Sequence, residues 1–243
     1  GRDALYTNTT GSYNTASGQG ALKANTTGSY NTAIGREALT SNTTGEVNIA
    51  IGYQALRYNT TAHHNTAIGK SSLYSNTTGY QNTASGYVAL YSNTTGVENT
   101  ATGSYALYSN TTGDYNTASG YNALGAATTA DYNTAYGWKA LNSSTTAGGN
   151  TAVGGRALYA STGSGNTAHG YWALRYNTTG EYNTACGNHA GYTITTGEYN
   201  LCLGYDAQPS SATVDDEVVL GDSHIATLRC NTSTISALSD ARD

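Results

Sequence analysis

The chain has 243 residues, including 30 glycines and 22 tyrosines but no phenylalanine or methionine, and only 10% of its residues are charged. The net charge of -5 and the lack of any block of lysine or arginine are unlike a nucleic-acid-binding surface, so no nucleic acid is expected as a partner. No apolar run approaches about 20 residues and no segment looks like a secretion signal, so membrane insertion is not expected.

A phrase of the form Asn-Thr-Ala-x-Gly recurs along most of the chain. Its successive copies are 17 residues apart, except for one step of 16. The copies begin at Asn14, Asn31, Asn48, Asn65, Asn82, Asn99, Asn116, Asn133, Asn150, Asn166, Asn183 and Asn200. A fixed period of this kind is typical of solenoids, in which each unit contacts only its neighbours.

Numbered from this asparagine as position 1, the unit reads Asn-Thr-Ala-x-Gly-x-x-Ala-Leu-x-x-Asn-Thr-Thr-Gly-x-x. It is too short for two packed helices, and glycine, threonine and asparagine are poor helix formers. We therefore predict an all-β fold, a parallel β-solenoid (β-roll) of 17-residue coils. Leucine at position 9 should fill the interior, glycine at position 5 should occupy a corner with positive φ or a close backbone contact, and the asparagines at positions 1 and 12 should form ladders along the axis.

Two boundaries follow from the pattern. The chain begins at position 5 of a unit, so the repeat array over residues 1–208 is expected to start within a coil. The single proline, Pro209, comes after the last copy of the phrase, which ends at Gly204, and the pattern does not resume beyond it. Residues 209–243 are predicted to form a β neck or junction, with strands at 218–221 and 225–228.

The alanines at positions 3 and 8 leave two interpretations open. They occupy tight corners of the coil, or they line a surface against which another chain packs closely. A core of one leucine and a few alanines per coil is thin, because ordering each residue costs on the order of 1.5 kcal/mol. Oligomerisation is a common remedy, so a homotrimeric fibre is predicted.

The cysteines and histidines suggest no chemistry. Cys186 and Cys202 occupy positions 4 and 3 of neighbouring coils, so they should point to opposite faces, and together with Cys230 they are interpreted as small buried fillers. The five histidines are scattered and the acids are not paired by position, so no catalytic residue, metal site or cofactor is predicted.

Asn-Thr-Ala-Ile-Gly at 31–35 and 65–69 resembles the head repeats of trimeric autotransporter adhesins. In that family a similar phrase recurs at a shorter period in a left-handed parallel β-roll trimer. The resemblance implies the same kind of trimeric coil here, lengthened by the Asn-Thr-Thr-Gly turn.

A second resemblance lies at the C-terminal end. The run from Val219 to Asp222 and the run from Ile235 to Asp243 are similar to the junction in bacteriophage tail fibres and tailspikes where an intramolecular chaperone domain of the endosialidase type begins. Such domains open with Ser-Asp-x-Arg, drive trimerisation and then cut themselves off. By this resemblance Ser239 and Asp240 mark the cleavage junction, and a C-terminal chaperone domain is expected beyond this chain.

Aromatic residues at variable positions of the unit are the candidates for ligand contact, because a ring with a polar tip suits carbohydrate stacking or protein recognition. Stacked tyrosine ladders that only stabilise the sheet are the alternative. The candidates are Tyr13, Tyr30, Tyr53, Tyr87, Tyr115, Tyr121, Tyr132, Trp138, Tyr171, Tyr182 and Tyr199.

The Asn-Thr-Thr segments also match the N-glycosylation pattern, although asparagine and threonine suit tight turns without any sugar. The possible glycosylation sites are Asn8, Asn25, Asn42, Asn59, Asn76, Asn93, Asn110 and Asn177.

Three functions compete. The first is a non-enzymatic viral fibre, located in the virion as a tail-fibre shaft or receptor-binding region that contacts a carbohydrate or protein receptor on the host surface. The second is a trimeric adhesin on a bacterial cell surface. The third is an ice-binding solenoid, which is disfavoured because the paired threonines at positions 13 and 14 point to opposite sides and tyrosine columns would spoil a flat face.

Overall fold

A computed structural model describes residues 1–225 as a β-solenoid in which thirteen three-residue strands form a single sheet. Each strand pairs in parallel with its neighbours in sequence, so the predicted fold class is confirmed. The strands are β1 (Thr15–Ser17), β2 (Thr32–Ile34), β3 (Ile49–Ile51), β4 (Thr66–Ile68), β5 (Thr83–Ser85), β6 (Thr100–Thr102), β7 (Thr117–Ser119), β8 (Thr134–Tyr136), β9 (Thr151–Val153), β10 (Thr167–His169), β11 (Thr184–Cys186), β12 (Leu201–Leu203) and β13 (Val218–Leu220).

The sheet keeps one register throughout, because each strand aligns positions 2, 3 and 4 of one coil with those of the next. The 16-residue step does not disturb it, since Thr151 still pairs with Thr167. The missing residue is absorbed in the turn between Ser161 and Ser164. At about 4.8 Å per strand, the stack of strands is roughly 60 Å long.

Leucine and glycine occupy the predicted places. The position-9 leucines from Leu22 to Leu174 are fully buried in a continuous column. The position-5 glycines of the coils have φ between 117° and 144°. A Cβ atom on any of them from Gly18 to Gly187 would lie 2.2–2.8 Å from the backbone of the following coil, so these corners require glycine for both conformation and space.

Both predicted asparagine ladders are present. At position 12, the side-chain Nδ2 of each asparagine from Asn25 to Asn110 donates to Oδ1 of the preceding one at 2.7–3.0 Å. At position 1, the backbone N–H of each coil donates to the asparagine Oδ1 of the preceding coil at 2.9–3.0 Å. The interior is therefore polar as well as apolar, and its polar groups are joined along the axis.

The alanine columns are interior, which rules out the proposed chain-to-chain surface at positions 3 and 8. Ala33 at position 3 and Ala38 at position 8 are fully buried within the single chain, as are their counterparts along the rod. Adjacent residues of an extended strand point to opposite sides, but positions 8 and 9 do not form a strand. Leu39 has a φ of 51° and Glu37, at position 7, a φ of 58°, so this left-handed turn directs both side chains of positions 8 and 9 inward.

The sheet continues past the boundary predicted at residue 208. β13 pairs with β12 at the same 17-residue step, and the Glu217 N–H donates to Asn200 Oδ1 at 3.0 Å. Val218–Leu220 is thus a further strand of the solenoid. Of the second neck strand predicted at 225–228, only Ile225 belongs to the described residues, and Cys230 lies outside them. Of the other two cysteines, Cys202 is buried as predicted, whereas Cys186 is exposed.

Candidate binding surface

The outer surface of the rod has three longitudinal parts. The strand face consists of the outward side chains at positions 2 and 4 of the coils. The acidic edge, at positions 16 and 17, precedes each strand, and the basic edge, at positions 6, 7, 10 and 11, follows the glycine corner. In residues 1–225, ring contacts join side chains within one edge and none joins the two edges.

Cations are confined to the basic edge. Every lysine and arginine of residues 1–225 lies at position 6, 7 or 10 of its coil, and most lie against an aromatic ring. They are Arg2, Lys23, Arg36, Arg57, Lys70, Lys139, Arg156 and Arg175. The shortest such contacts place the guanidinium carbon of Arg156 4.4 Å from the Trp138 ring centroid and that of Arg175 4.1 Å from the Trp172 centroid. Contacts of this length are within the range of cation–π attraction.

Carboxylates predominate on the acidic edge, and several have a structural role. Asp114 Oδ1 accepts the backbone N–H of Val97 at 2.8 Å, and Asp131 Oδ1 accepts that of Asp114 at 2.7 Å. These bonds link position 16 of successive coils. The carboxylates at positions 16 and 17 are Glu46, Glu98, Asp114, Asp131, Glu181, Glu198, Asp215 and Asp216.

The predicted ligand-contact aromatics are all exposed, but they are divided between the two edges. Those at position 17 lie on the acidic edge: Tyr13, Tyr30, Tyr115, Tyr132, Tyr182 and Tyr199. Those at position 6 lie on the basic edge: Tyr53, Tyr87, Tyr121, Trp138 and Tyr171. The candidates therefore do not form one site.

The position-17 tyrosines stack in pairs as the ladder alternative predicts. Tyr115 and Tyr132 lie with ring centroids 5.0 Å apart and an interplanar angle of 5°, and Tyr182 and Tyr199 stack at 5.2 Å and 11°. The negative charge of Glu98 raises the pKa of the Tyr115 phenol, with desolvation as the second cause. The stacked rings remain exposed on the outside of the rod, so a ladder and a contact surface are compatible.

Trp172 is the main residue that the sequence reasoning missed. It lies at position 7 rather than in the columns that were considered, and it stacks on Tyr171 at 4.8 Å and on Tyr192 at 5.8 Å. Tyr176, at position 11, packs against Arg175 on the same edge. Writing the sequence in rows of 17 would have placed these rings beside the arginines.

The asparagines of the Asn-Thr-Thr turns are not accessible for glycosylation in the folded rod. All of the eight candidates except Asn8 are fully buried. In Asn25 to Asn110 the Nδ2 that would carry the sugar donates both to the ladder and to a carbonyl three residues ahead, for example from Asn42 to Gly45 O at 2.9 Å. Burial in the folded rod disfavours glycosylation of these seven residues, and the turn interpretation accounts for them without a sugar.

Other predicted features lie outside the described residues or leave no site. Ser239 and Asp240 belong to the undescribed part of the chain. Within residues 1–225, no three side chains among histidine, cysteine, aspartate and glutamate are close enough together to hold a metal ion. No helix in this part of the chain is long and apolar enough to cross a lipid bilayer.

Comparisons of the chain with protein-family models, curated proteins and solved structures returned no match.

Proposed function

We propose that this chain is a rod segment of a homotrimeric viral fibre, of the bacteriophage tail-fibre kind, which attaches to a host surface without catalysing a reaction. The observation that carries the proposal is the contrast between the inside and the outside of the coil. Inside, the same asparagines, alanines and leucine recur along most of the rod. Outside, positions 4, 6, 7, 10, 16 and 17 change from coil to coil, as expected for a surface that meets other molecules.

The strand face is the surface that we assign to contact between chains. Apart from Val47 and Ile225, every aliphatic side chain larger than alanine that is exposed in residues 1–225 lies at position 2 or 4. These side chains are Ile34, Ile49, Ile51, Ile68, Leu203, Val218 and Leu220. These side chains form two apolar patches, one at 34–68 and one at 203–220. Exposed apolar patches mark interaction sites, and three rods that share an axis would cover both while leaving the aromatic edges free for a receptor.

Light scattering on the intact chain tests the trimer, because one chain has a mass of 25.1 kDa and the assembly would be threefold heavier. A variant with Ile34, Ile51 and Ile68 all replaced by serine should fold but remain monomeric, since Ser17 and Ser85 already occupy position 4. Substituting Val47 with threonine, outside the strand face, serves as the control and should keep the trimer. A monomeric parent chain would overturn the proposal.

Attachment is tested separately, by binding of the labelled rod to candidate host cells. A trimer that belongs to a bacterial adhesin would be distinguished by the complete gene, which would encode a membrane anchor in place of a chaperone domain. Ice binding is the third possibility. The threonine column at position 2 of the strand face favours it, whereas bulky side chains such as Tyr136 and His169 at position 4 interrupt that face. Thermal hysteresis in the freezing of a solution of the rod would identify an ice-binding protein.

A further inference from the structure

Three arginines of the basic edge are each held between two aromatic rings. The guanidinium carbon of Arg156 lies 4.4 Å from the Trp138 centroid and 5.4 Å from that of Tyr159. Arg175 lies 4.1 Å from Trp172 and 5.0 Å from Tyr176. The third arginine, Arg57, lies 5.3 Å from Tyr58 and 5.9 Å from Tyr74. Rings packed against a guanidinium restrict its orientation, and Arg175 also has the Tyr192 phenol as a hydrogen-bond partner. A planar guanidinium with five N–H donors still has donors left for a ligand.

These three arginines differ in their counterions. Arg57 has a carboxylate partner, because its Nη1 lies 3.0 Å from Glu37 Oε2. For Arg156 and Arg175, no carboxylate of residues 1–225 lies within ion-pair distance, and the same holds for Lys139. The Nε atoms of all three arginines are buried without a hydrogen-bond partner in this part of the chain, so the difference lies in the carboxylate alone. Two pre-oriented guanidinium groups and an ammonium group, all partly exposed, therefore have no anion within ion-pair distance in residues 1–225.

The three uncompensated cations occupy successive coils, with Lys139 and Arg156 at position 7 and Arg175 at position 10. Successive coils are about 4.8 Å apart along the axis, so the charges form a row parallel to the rod. Exposed rings flank this row, since Trp138, Tyr171 and Tyr176 are each 44% accessible. A row of charge beside open ring faces fits a linear polymer that combines regularly spaced anions with flat apolar surfaces.

A second copy of the chain is a poor source of the missing anions. Cyclic symmetry about the rod axis places identical coils at equal height. At the height of Lys139 and Arg156, the acidic edge of such a copy would present Gly148, Gly149, Ser164 and Gly165, which carry no charge. Only at the height of Arg175 would it present a carboxylate, that of Glu181, so two of the three cations would remain without an anion. Nucleic acid is also disfavoured, because the chain has a net charge of -5 and the row holds few cations.

We propose that this arginine–tryptophan cluster, formed by Trp138, Lys139, Arg156, Trp172 and Arg175, binds a linear acidic polysaccharide through its carboxylate or sulfate groups. The guanidinium groups donate paired hydrogen bonds to the anions, and the flanking rings stack on the sugars. The inference rests on the proposed attachment function and specifies the class of receptor for it.

The test compares four soluble probes with the full chain by biolayer interferometry: oligogalacturonate for carboxylate, dextran sulfate for sulfate, unmodified dextran as the neutral sugar and polyglutamate as an acidic polymer without sugar. Oligogalacturonate or dextran sulfate should bind, and which of them binds more tightly identifies the anion. Replacing both Arg156 and Arg175 with glutamine should weaken binding at least about tenfold, since charged hydrogen-bond donors typically contribute that much each. Arg57→Gln is the control, because that arginine also lies against two rings but is already neutralised by Glu37, and it should change affinity less than about twofold.

The inference is overturned if neither acidic sugar binds, if polyglutamate binds as tightly as they do, or if Arg57→Gln weakens binding as much as the double variant. A variant with lysine at both Arg156 and Arg175 keeps the charge but loses the paired N–H donors of the guanidinium groups, so it should bind with intermediate affinity. Wild-type affinity of this variant would mean that charge alone explains the binding, and would refute the proposed site. Circular dichroism checks that each variant folds. Light scattering on the same samples reports the trimer independently, so a failed binding test and a failed fibre proposal are distinguishable.

Discussion

Replacing Ala127 with asparagine should stabilise the rod, because it extends the position-12 ladder by one coil and gives Asn110 Oδ1 a donor. The ladder runs unbroken from Asn8 to Asn110, and the next residue in the column is Ala127. As a result Asn110 Oδ1 is buried and accepts no hydrogen bond from any described residue. The same orphan occurs at Asn177, where Ile194 follows in the column.

The expected gain can be worked from the neighbouring coils. Asn59 sits beside Ala62 just as residue 127 sits beside Ala130, and it donates both to Asn42 Oδ1 at 2.9 Å and to Ala62 O at 3.0 Å. Space for the new side chain is therefore expected. The new side chain gives Asn110 Oδ1 a donor but leaves its own Oδ1 without one, because the next residue in the column is Ser144, whose Oγ donates to Ala147 O at 3.2 Å. The gain is therefore limited to the added hydrogen bonds, typically about 0.5–1.5 kcal/mol each, less the cost of ordering the side chain, so a net gain of at most about 1 kcal/mol is expected. For a chain of this length that corresponds to roughly 2–4 °C in Tm.

Thermal unfolding followed by circular dichroism measures this gain, and amide hydrogen exchange locates it near Asn110. The matched control is Asn76→Ala, which makes the same break in an intact part of the ladder and should lower stability by about 1–3 kcal/mol. If Ala127→Asn leaves the Tm unchanged or lowers it while Asn76→Ala is also neutral, the ladder does not stabilise the rod and the reasoning fails. A loss for Asn76→Ala alone would locate the error in the space available at residue 127.

Three further predictions concern separate parts of the molecule. Iodoacetamide should label Cys186 in the native rod but Cys202 only after unfolding, because burial raises the pKa of the Cys202 thiol to about 11; equal native labelling, followed by mass spectrometry, would contradict this. Ala89→Leu should overfill the interior and lower the free energy of unfolding by about 1–3 kcal/mol at every protein concentration. Ala89→Ser should be nearly neutral, because Ser72 already occupies position 8. A loss that varies with protein concentration would indicate that the alanines lie in an interface between chains. A hydrogen bond with Gln54, followed by the charges of the neighbouring arginines, lowers the pKa of Glu37. The stability that the Glu37 carboxylate contributes is therefore present above its ordinary pKa and is lost as the pH falls through the lowered value. Glu37→Gln should flatten the decline of Tm in acid, and an unchanged pH profile would refute this.

The parts of the fold that depend on one recurring residue could be predicted from the sequence. Leucine at position 9, glycine at position 5 and the two asparagine columns each have a chemical role that identical neighbours repeat. The inward direction of Ala38 could not be predicted in this way, because it depends on the left-handed φ of Glu37 and Leu39, and neither residue type normally signals that conformation. The hypothesis of an alanine interface failed for this reason.

The end of the sheet was missed for a different reason. The phrase ends at Asn200, but the ladder bond needs only a backbone N–H from the following coil, and Glu217 supplies it as well as an asparagine would. The candidate site was predicted in part. The aromatic columns were identified, whereas the segregation of charge and the pairing of Arg175 with Trp172 arise between coil positions that were considered separately.

The break in the ladder has a consequence for alignment during folding. Where coils are nearly identical, a strand can pair with the wrong neighbour one whole unit away and still satisfy most of its bonds, leaving a 17-residue bulge. Ala127, the short turn after Ser161 and Ile194 make some coils unlike the others, so a slip across them mismatches turn lengths and facing side chains. These irregularities mark a unique alignment. A rod made uniform by replacing all of these irregular residues should be more stable once folded, but its strands should pair in the wrong register more often during folding.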